Sequence, residues 1–315
     1  MNRRTLLAAA TALPFAAQAE AILRSLHLFV GAAPGGGFDA LARAIEQGAK
    51  QAGLIQDATV EHVPGAGGTV GLPRFASQRR GRGDALMIGG AVLLGASITS
   101  RSPMTLADVT PIARMTGEAG VIVTPAESDI ADMAALMAAL RDNPGNVAVA
   151  GGSAGGFDHV VWGQLVQLAG RAPREAAYVA FPGGGPARAA IIGRQVRTGI
   201  AGWGEFAEDI RGGRMRALAT TGATRTDPRV PTLREAGIDL ATLNWRGVFA
   251  PPALAAAPRA TLLRFIAALH ATPAWRDALG RNLWEDAFLP APEFDAFLAR
   301  ETAAMRSVLQ QLGLA

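Results

Sequence analysis

Cysteine is absent from the 315 residues. That excludes disulfides, thiolate metal sites and thiol nucleophiles, and it leaves no cysteine to carry a lipid anchor after signal cleavage. Lysine occurs once, at Lys50, so arginine supplies the remaining positive charge. The formal net charge is only +4. The one basic cluster, Arg79-Arg80-Gly81-Arg82, has no interleaved aromatics. It reads as a solvated loop, and no nucleic-acid partner is expected. No segment beyond the N-terminus has the uninterrupted apolar run of a membrane helix, so the chain is not expected to be membrane-embedded. The histidines, His27, His62, His159 and His270, show neither H-x-x-x-H nor H-x-H spacing. No metal and no cofactor are expected.

What is present begins with an export signature. Met1-Asn2-Arg3-Arg4 is basic, Thr5 to Ala17 is apolar and uncharged, and Ala17-Gln18-Ala19 has the small-x-small form of a cleavage site. Residues 1–19 therefore read as a signal peptide cut after Ala19, too short to span a bilayer. Arg3-Arg4 before Thr5-Leu6-Leu7 also resembles a twin-arginine signal, which leaves the Sec and Tat routes both open. The expectation is a soluble, freely diffusing monomer in the periplasm.

Hydrophobic residues make up 50% of the chain and charged ones 18%, a globular balance in a chain long enough for two domains. Strand patterns fall at Leu26 to Val30, Ala58 to Val63, Ala85 to Gly89, Val121 to Thr124, Val147 to Ala150, Ala176 to Ala180, Met215 to Thr220 and Gly247 to Ala250. Helical patterns fall between them. Phe38 to Gln47 places Phe38, Leu41, Ala42 and Ile45 on one face, and Phe157 to Ala169 carries a stripe of Phe157, Val160, Val161, Leu165 and Leu168. The part after Arg259 reads as mostly helical. Repeated strand-then-helix order predicts an α/β fold of mostly parallel sheets flanked by helices. The two halves share a plan, each with a strand, a glycine turn and a helix near its start, which predicts two lobes facing one cleft.

Four glycine clusters punctuate the chain: Pro34 to Gly37, Pro64 to Gly68, Gly151 to Gly156, and Pro182 to Pro186. Glycine permits positive φ and close approach of a ligand to the main chain. At a helix start, unpaired N–H groups and the helix dipole bind anions without a charged side chain. No G-x-x-x-x-G-K-[ST] sequence is present, and Gly31 to Gly37 lacks the G-x-G-x-x-G form, so neither a P-loop nor a dinucleotide fingerprint is indicated. A small carboxylate is the simpler guest. Gly151-Gly152-Ser153-Ala154-Gly155 does match the G-x-S-x-G nucleophile elbow. A serine hydrolase needs an acid and then a histidine downstream, and only His159 and His270 follow Ser153. Ser153 as a hydroxyl donor to a carboxylate fits better. Asp39 and Asp158 each sit just inside a helix that follows a glycine loop. There they cap the helix, hold the loop open or meet a ligand donor.

These segments, in this order and spacing, resemble the substrate-binding proteins of tripartite tricarboxylate transporters, the Bug receptors. The likeness runs from about Leu26 to the C-terminus. It is carried by Pro34-Gly35-Gly36-Gly37-Phe38-Asp39, Val63-Pro64-Gly65-Ala66-Gly67-Gly68, Gly152-Ser153-Ala154-Gly155-Gly156 with Asp158-His159, Tyr178 to Gly185, Pro231-Thr232-Leu233, and Asn244-Trp245-Arg246-Gly247. The resemblance implies a two-lobed Venus flytrap, with lobe one at 20–123 and 244–315 and lobe two at 124–243. It implies capture of a small di- or tricarboxylate and transfer to membrane transporter subunits. A sensor presenting the solute to a signalling protein would use the same fold. Carried onto this chain, the ligand-binding residues are Gly35, Gly36, Gly37, Phe38, Asp39, Gly65, Ala66, Gly67, Gly68, Ser153, Ala154, Gly155, Gly156, His159, Phe181, Pro182 and Gly183. The loop forms are most like the tricarboxylate-binding branch. This sequence departs from the pattern at Pro182, at Arg194 and Arg197, and at Trp203. The indole of Trp203 either lines the pocket or packs the hinge.

Overall fold

The computed structural model describes residues 21–181 and 184–315. The expected signal segment, and Pro182 and Gly183 of the expected site, lie outside the described residues. The chain first builds β1 (Leu23–Val30), α1 (Gly37–Gln51), β2 (Ile55–His62), α2 (Gly71–Gln78), β3 (Ala85–Gly90), α3 (Ala91–Thr99) and β4 (Thr110–Glu118). It crosses to a second sheet through β5 (Gly120–Pro125), α4 (Met133–Asp142), β6 (Val149–Gly151), α5 (Phe157–Leu168), β7 (Tyr178–Ala180), α6 (Gly184–Ile192), β8 (Thr198–Gly202), α7 (Trp203–Arg211) and β9 (Met215–Thr220). It returns as β10 (Asn244–Ala250), α8 (Ala256–His270), α9 (Pro273–Asn282), β11 (Glu285–Pro290) and α10 (Glu293–Gln311).

The first sheet has the order β11-β4-β10-β3-β1-β2 and the second β7-β6-β8-β5-β9. In the first, β1, β2, β3 and β4 run one way and β10 and β11 the other. In the second, only β5 opposes the rest. This is a two-lobed α/β architecture of mixed, mostly parallel sheets. The reversed strands β5 and β10 are the first strands of each sheet after a crossing, so direction flips where the chain changes lobe. The first crossing falls at Ala119, between β4 and β5, a few residues ahead of the 123/124 boundary read from the sequence.

Local patterns explain the elements. Helix α1 buries Phe38, Leu41, Ala42, Ile45 and Ala49 at helical spacing against lobe one. All six residues of β3, Ala85 to Gly90, are buried, as befits a central strand covered on both faces. In lobe two, β5 alternates its side chains. Ile122 faces one core with Leu136, Trp162 and Leu165, while Val121 and Val123 face another with Ile191 and Phe206. Each fully buried Leu, Val or Phe contributes about 1.5–3 kcal/mol over leaving it exposed. Leu168, placed on the buried stripe of α5 from its spacing, is 47% exposed, because it sits in the helix's last turn, past the edge of that core.

Among the described residues, contacts between the lobes include two made by the α5 region. Gly155, at φ 77°, lies against Gly95 and Thr99 of α3. The segment after α10 lies on α5, where a Cβ added at Gly163 would be 3.1 Å from Leu312 Cδ1. Among the described residues, no helix is long and apolar enough to cross a membrane.

Candidate functional site

Helices α1 and α5 begin in the same way. Their N-caps are Gly36 and Gly156, both extended, and neither has a side-chain cap bond. The first-turn N–H groups of both helices therefore point out of the helix with neither an intrahelical acceptor nor a capping side chain. Each loop is braced from inside its own helix. Gly35 N–H donates to Asp39 Oδ2 at 2.8 Å, and Gly152 N–H donates to Asp158 Oδ2 at 2.9 Å. Asp39 and Asp158 thus shape the loops and do not cap the helix termini.

The braces differ in electrostatics. Burial alone would raise the Asp39 carboxyl, but the Gly35 N–H, His62 at 2.7 Å and Arg43 at 3.4 Å hold it below its usual value. Among the described residues, no cation lies beside Asp158. Burial first, then the charges of Glu205 and Glu118, push its carboxyl up to about 7 against the pull of the Gly152 N–H. His159 is buried, its Nδ1 accepts the Gly155 N–H at 3.1 Å, and its ring stacks on Tyr178 at 4.0 Å. Burial lowers its pKa to about 4, so it is neutral at pH 7, with its remaining proton on Nε2. Tyr178 Oη in turn donates to Gly152 O at 3.0 Å, which ties the loop to β7.

Two adjoining cavities lie between the lobes. One, of about 310 Å3, is lined by Gly31 to Ala33, Gly37, Phe38, Pro64, Gly65, Gly67 and Val92 of lobe one, by Asn244 and Arg246 of β10, and by Glu205 of lobe two. The other, of about 180 Å3, is lined by Ala66, Gly67, Val92, Ala96, Thr99 and Ser100 from lobe one and Ser153, Ala154 and Gly156 from lobe two. Gly67 and Val92 line both. The backbone of Gly65, Ala66, Gly67 and Gly68 has positive φ throughout, which keeps this loop tight against α3. A larger cavity, of about 470 Å3, lies on lobe one between α3, the 105–111 segment and α10. It has no glycine loop on its wall, and the short helix that starts there at Leu106 is already capped by the Thr105 side chain, so the cleft is the better candidate despite its smaller volume.

The structure thus places Gly37, Phe38, Gly65, Ala66, Gly67, Ser153, Ala154 and Gly156 on the cleft cavities. Gly35, Asp39, Gly155 and His159 support those loops from behind. Gly36 is the N-cap of α1. Gly68 packs against Gly31 and Leu93. Phe181 is partly buried, with its N–H donating to Gly151 O at 2.9 Å. Trp203 is not brought to the cleft. It is buried in the lobe-two core with Val121, Phe206 and Ala190. Arg194 and Arg197 lie on the surface, paired with Glu127 and Asp129.

Sequence reasoning did not single out a charged group at the base of the cleft. Arg246 is 5% exposed and donates from Nη2 to Glu118 Oε2 at 2.6 Å. Its guanidinium lies under the α1 start, where a Cβ at Gly37 would fall 2.7 Å from Cζ. Glu205 keeps solvent access through the cleft, yet crowding by protein and then the charge of Glu118 raise its carboxyl against the pull of Arg246 and the Gly202 N–H. The available signal was an arginine inside the apolar strand pattern Asn244 to Ala250.

The nucleophile-elbow reading fails on geometry. Among the described residues, no hydrogen bond joins Ser153 to a histidine. The imidazole of His159 is occupied by Gly155, and His270 pairs with Asp286 at 3.0 Å on lobe one. No cluster of three or more His, Asp or Glu among the described residues is placed to hold a metal.

Comparison with known proteins agrees with this geometry. The profile of the tripartite tricarboxylate transporter family receptor, TctC, matches residues 41–314. The chain belongs to this family. Its members are binding receptors of the periplasmic binding protein type and not enzymes. The receptor is 31% identical over 279 residues to a UPF0065 protein of Bordetella bronchiseptica, an alignment covering 86% of this chain and 82% of the relative. It is 30% identical over 225 residues to a UPF0065 protein of Pseudomonas sp. strain P51, covering 69% of this chain but only 65% of that protein's length. Among solved structures, a TctC solute-binding protein from Polaromonas superposes with a TM-score of 0.75 at 23% identity, covering 92% of this chain and 99% of that one. An R. palustris protein with adipate gives 0.75 at 21% identity, covering 92% and 97%. A Rhodopseudomonas palustris protein with bound malate gives 0.69 at 24%, covering 92% and 98%. At these identities the structural likenesses establish the fold.

Proposed function

We propose that this receptor is exported behind the 1–19 signal segment and closes its two lobes over a small di- or tricarboxylate, which it delivers to membrane transporter subunits. The observation that carries this reading is the pair of uncapped helix starts, α1 on lobe one and α5 on lobe two, lining adjoining cavities of one cleft. Each N-terminus presents N–H groups and partial positive charge to an anion. One charge-assisted bond contributes about 1.5–3 kcal/mol, so a carboxylate meeting two N–H groups per lobe is held by several such bonds. In this reading Gly36 to Phe38, Gly65 to Gly68, Ser153 to Gly156 and Phe181 form the ligand rim. The Ser153 hydroxyl completes it, and His159 steadies the loop from behind.

Closure follows from differential affinity. A ligand docked on lobe one alone reaches only the α1 donors. The closed form adds the α5 donors, so the ligand favours closure by the free energy of those added bonds. Related receptors holding malate and adipate support the carboxylate class. The resemblance of the Gly-Gly-Ser-Ala-Gly-Gly and Asn-Trp-Arg-Gly forms to the tricarboxylate-binding branch is the reason to include citrate in the panel. The test is isothermal titration of protein freed of co-purified ligand against mono-, di- and tricarboxylates. Saturable heat with at least one di- or tricarboxylate is expected. Silence across the panel refutes the proposal.

A further inference from the structure

Strand β4 carries an irregularity that redirects one arginine. On β10, Arg246 pairs with Thr116 and the next residue, Gly247, pairs with Arg114, so Met115 is skipped. Strand β11 shows the same break, with Asp286 opposite Thr116 and Leu289 opposite Arg114. A bulge of this kind re-aims a side chain. Thr116 stays on the sheet face that carries Arg246, and Arg114 is turned to the opposite face, beside Trp245. There its Nε donates to Ala287 O at 2.7 Å and its Cζ lies 4.4 Å from the centre of the Phe297 ring. Among the described residues, its two Nη atoms have no acceptor.

Arg114 lines a cavity of about 230 Å3 behind the hinge, on the side of the sheet away from the cleft. Trp245, Phe297 and Glu301 form one wall. Ala223 and residues 241–243, from the crossing that leads back to β10, form the other. Glu301 Oε1 accepts the Trp245 indole N–H at 3.2 Å, and Oε2 has no donor among the described residues. Burial raises the Glu301 carboxyl against the pull of Trp245 and of the Arg114 charge, and the two side chains form no ion pair. Burial also lowers Arg114. A partly desolvated cation and a partly desolvated carboxylate thus share one cavity without meeting, an arrangement that a bridging group would satisfy.

The bridging group must accept from Arg114 and donate to Glu301. A fully ionised oxyanion meets the first need and is repelled by the carboxylate. An oxyanion that keeps a proton meets both. Two oxygens of hydrogen phosphate take the guanidinium fork, and its P–OH donates to Glu301 in a charge-assisted bond. Its tetrahedral shape leaves a fourth oxygen for the crossing, where the N–H groups of Ala241 and Leu243 have no acceptor among the described residues. A planar hydrogen carbonate has no such fourth oxygen.

We propose that this hinge cavity binds hydrogen phosphate through Arg114 and Glu301 and thereby ties the returning crossing to lobe one. The site is separate from the cleft, and its occupation requires no cleft ligand.

Inorganic phosphate and sulfate, titrated calorimetrically at pH 7 and fixed ionic strength, test it. Phosphate is expected to bind saturably and about tenfold or more tightly than sulfate, which has no proton to give Glu301. Arg114→Gln should weaken phosphate about tenfold or more. Glu301→Gln keeps an acceptor for the Trp245 indole and should bring the two anions within about threefold of each other. Phosphate should also slow amide hydrogen exchange at residues 241–243 in the wild-type protein and not in Arg114→Gln. If Arg114→Gln fails to fold, the lost selectivity of Glu301→Gln decides. No phosphate binding, or sulfate bound as tightly as phosphate, overturns the proposal. Phosphate binding unchanged in both variants places the anion elsewhere and overturns it too, as does binding that leaves exchange at the crossing unaltered.

Discussion

The loop that starts α5 should respond to acid through two adjacent residues pulling in opposite directions. His159 is buried, and its Nδ1 accepts the Gly155 N–H at 3.1 Å. Its pKa falls from 6.5 to about 4 through burial. The folded value lies below the unfolded one, so its contribution is full above pH 6.5 and is lost as pH drops toward 4. At 1.36 kcal/mol per pH unit this amounts to about 3 kcal/mol. Asp158 runs the other way. Burial, then Glu205 and Glu118, raise its carboxyl from 3.8 to about 7. Its contribution is full below pH 3.8 and is lost as pH rises toward 7, by at most about 4 kcal/mol, less because the residue keeps partial solvent access. The wild-type stability profile should therefore be nearly flat between about pH 4.5 and 7 from these two groups. His159→Gln, whose side-chain oxygen still accepts the Gly155 N–H, should expose a decline toward neutral pH. Asp158→Asn should expose a decline toward acid. Urea unfolding followed by tryptophan fluorescence at half-unit pH steps reads both slopes. If the two variants run parallel to wild type across this window, the burial argument for the pair is wrong.

Further outcomes follow from the same geometry. Glu118→Ala strands the buried guanidinium of Arg246 and should cost about 3–5 kcal/mol in urea unfolding. The double variant Glu118→Leu, Arg246→Met should recover much of that loss. Gly155→Val places a branched side chain at φ 77° and against Thr99 of α3. It should cost at least about 1–2 kcal/mol and widen the inter-lobe angle, visible as a larger radius of gyration in X-ray scattering. Asp39→Ala removes the brace on Gly35 and should weaken ligand binding about tenfold, measured by titration calorimetry. Arg197→Ala breaks an ion pair whose side chains are 38% and 78% exposed, so stability should change by less than about 1 kcal/mol and ligand binding not at all.

The strands and helices that could be read ahead of the structure were those with uninterrupted apolar patterns. Segments β1, β2, β3, β5 and β9 were legible because their inward positions are mostly apolar, with no charged residue among those fully buried. Strand β4 was not, since Thr110, Arg114, Thr116 and Glu118 interrupt it, and these residues serve other ends. Arg114 donates to Ala287 O at 2.7 Å, and Glu118 holds Arg246. Strand β8, Thr198 to Gly202, is made of small residues whose burial only packing reveals. Edge strand β11 opens with Glu285-Asp286, and half-buried edges lack the continuous apolar signal. The glycine loops were legible as anion cradles because helix-start chemistry is local. The Arg246, Asn244 and Glu205 group was not, because it joins β10 to α7 across a lobe boundary, and no spacing rule connects residues 205 and 246. Trp203 was ambiguous for the opposite reason. A bulky residue beside a glycine can line a pocket or fill a core, and the side of β8 on which α7 packs decides between them.

The most direct test of the central claim, that α1 and α5 jointly grip an anion, is a crystal structure of the receptor with a bound di- or tricarboxylate. Carboxylate oxygens should lie within about 2.7–3.2 Å of first-turn N–H groups on both helices, at Gly37 or Phe38 and at the Ser153 to Phe157 turn. A ligand seated in the cavity between α3 and α10, or touching one lobe only with the other helix start turned away, would contradict the account.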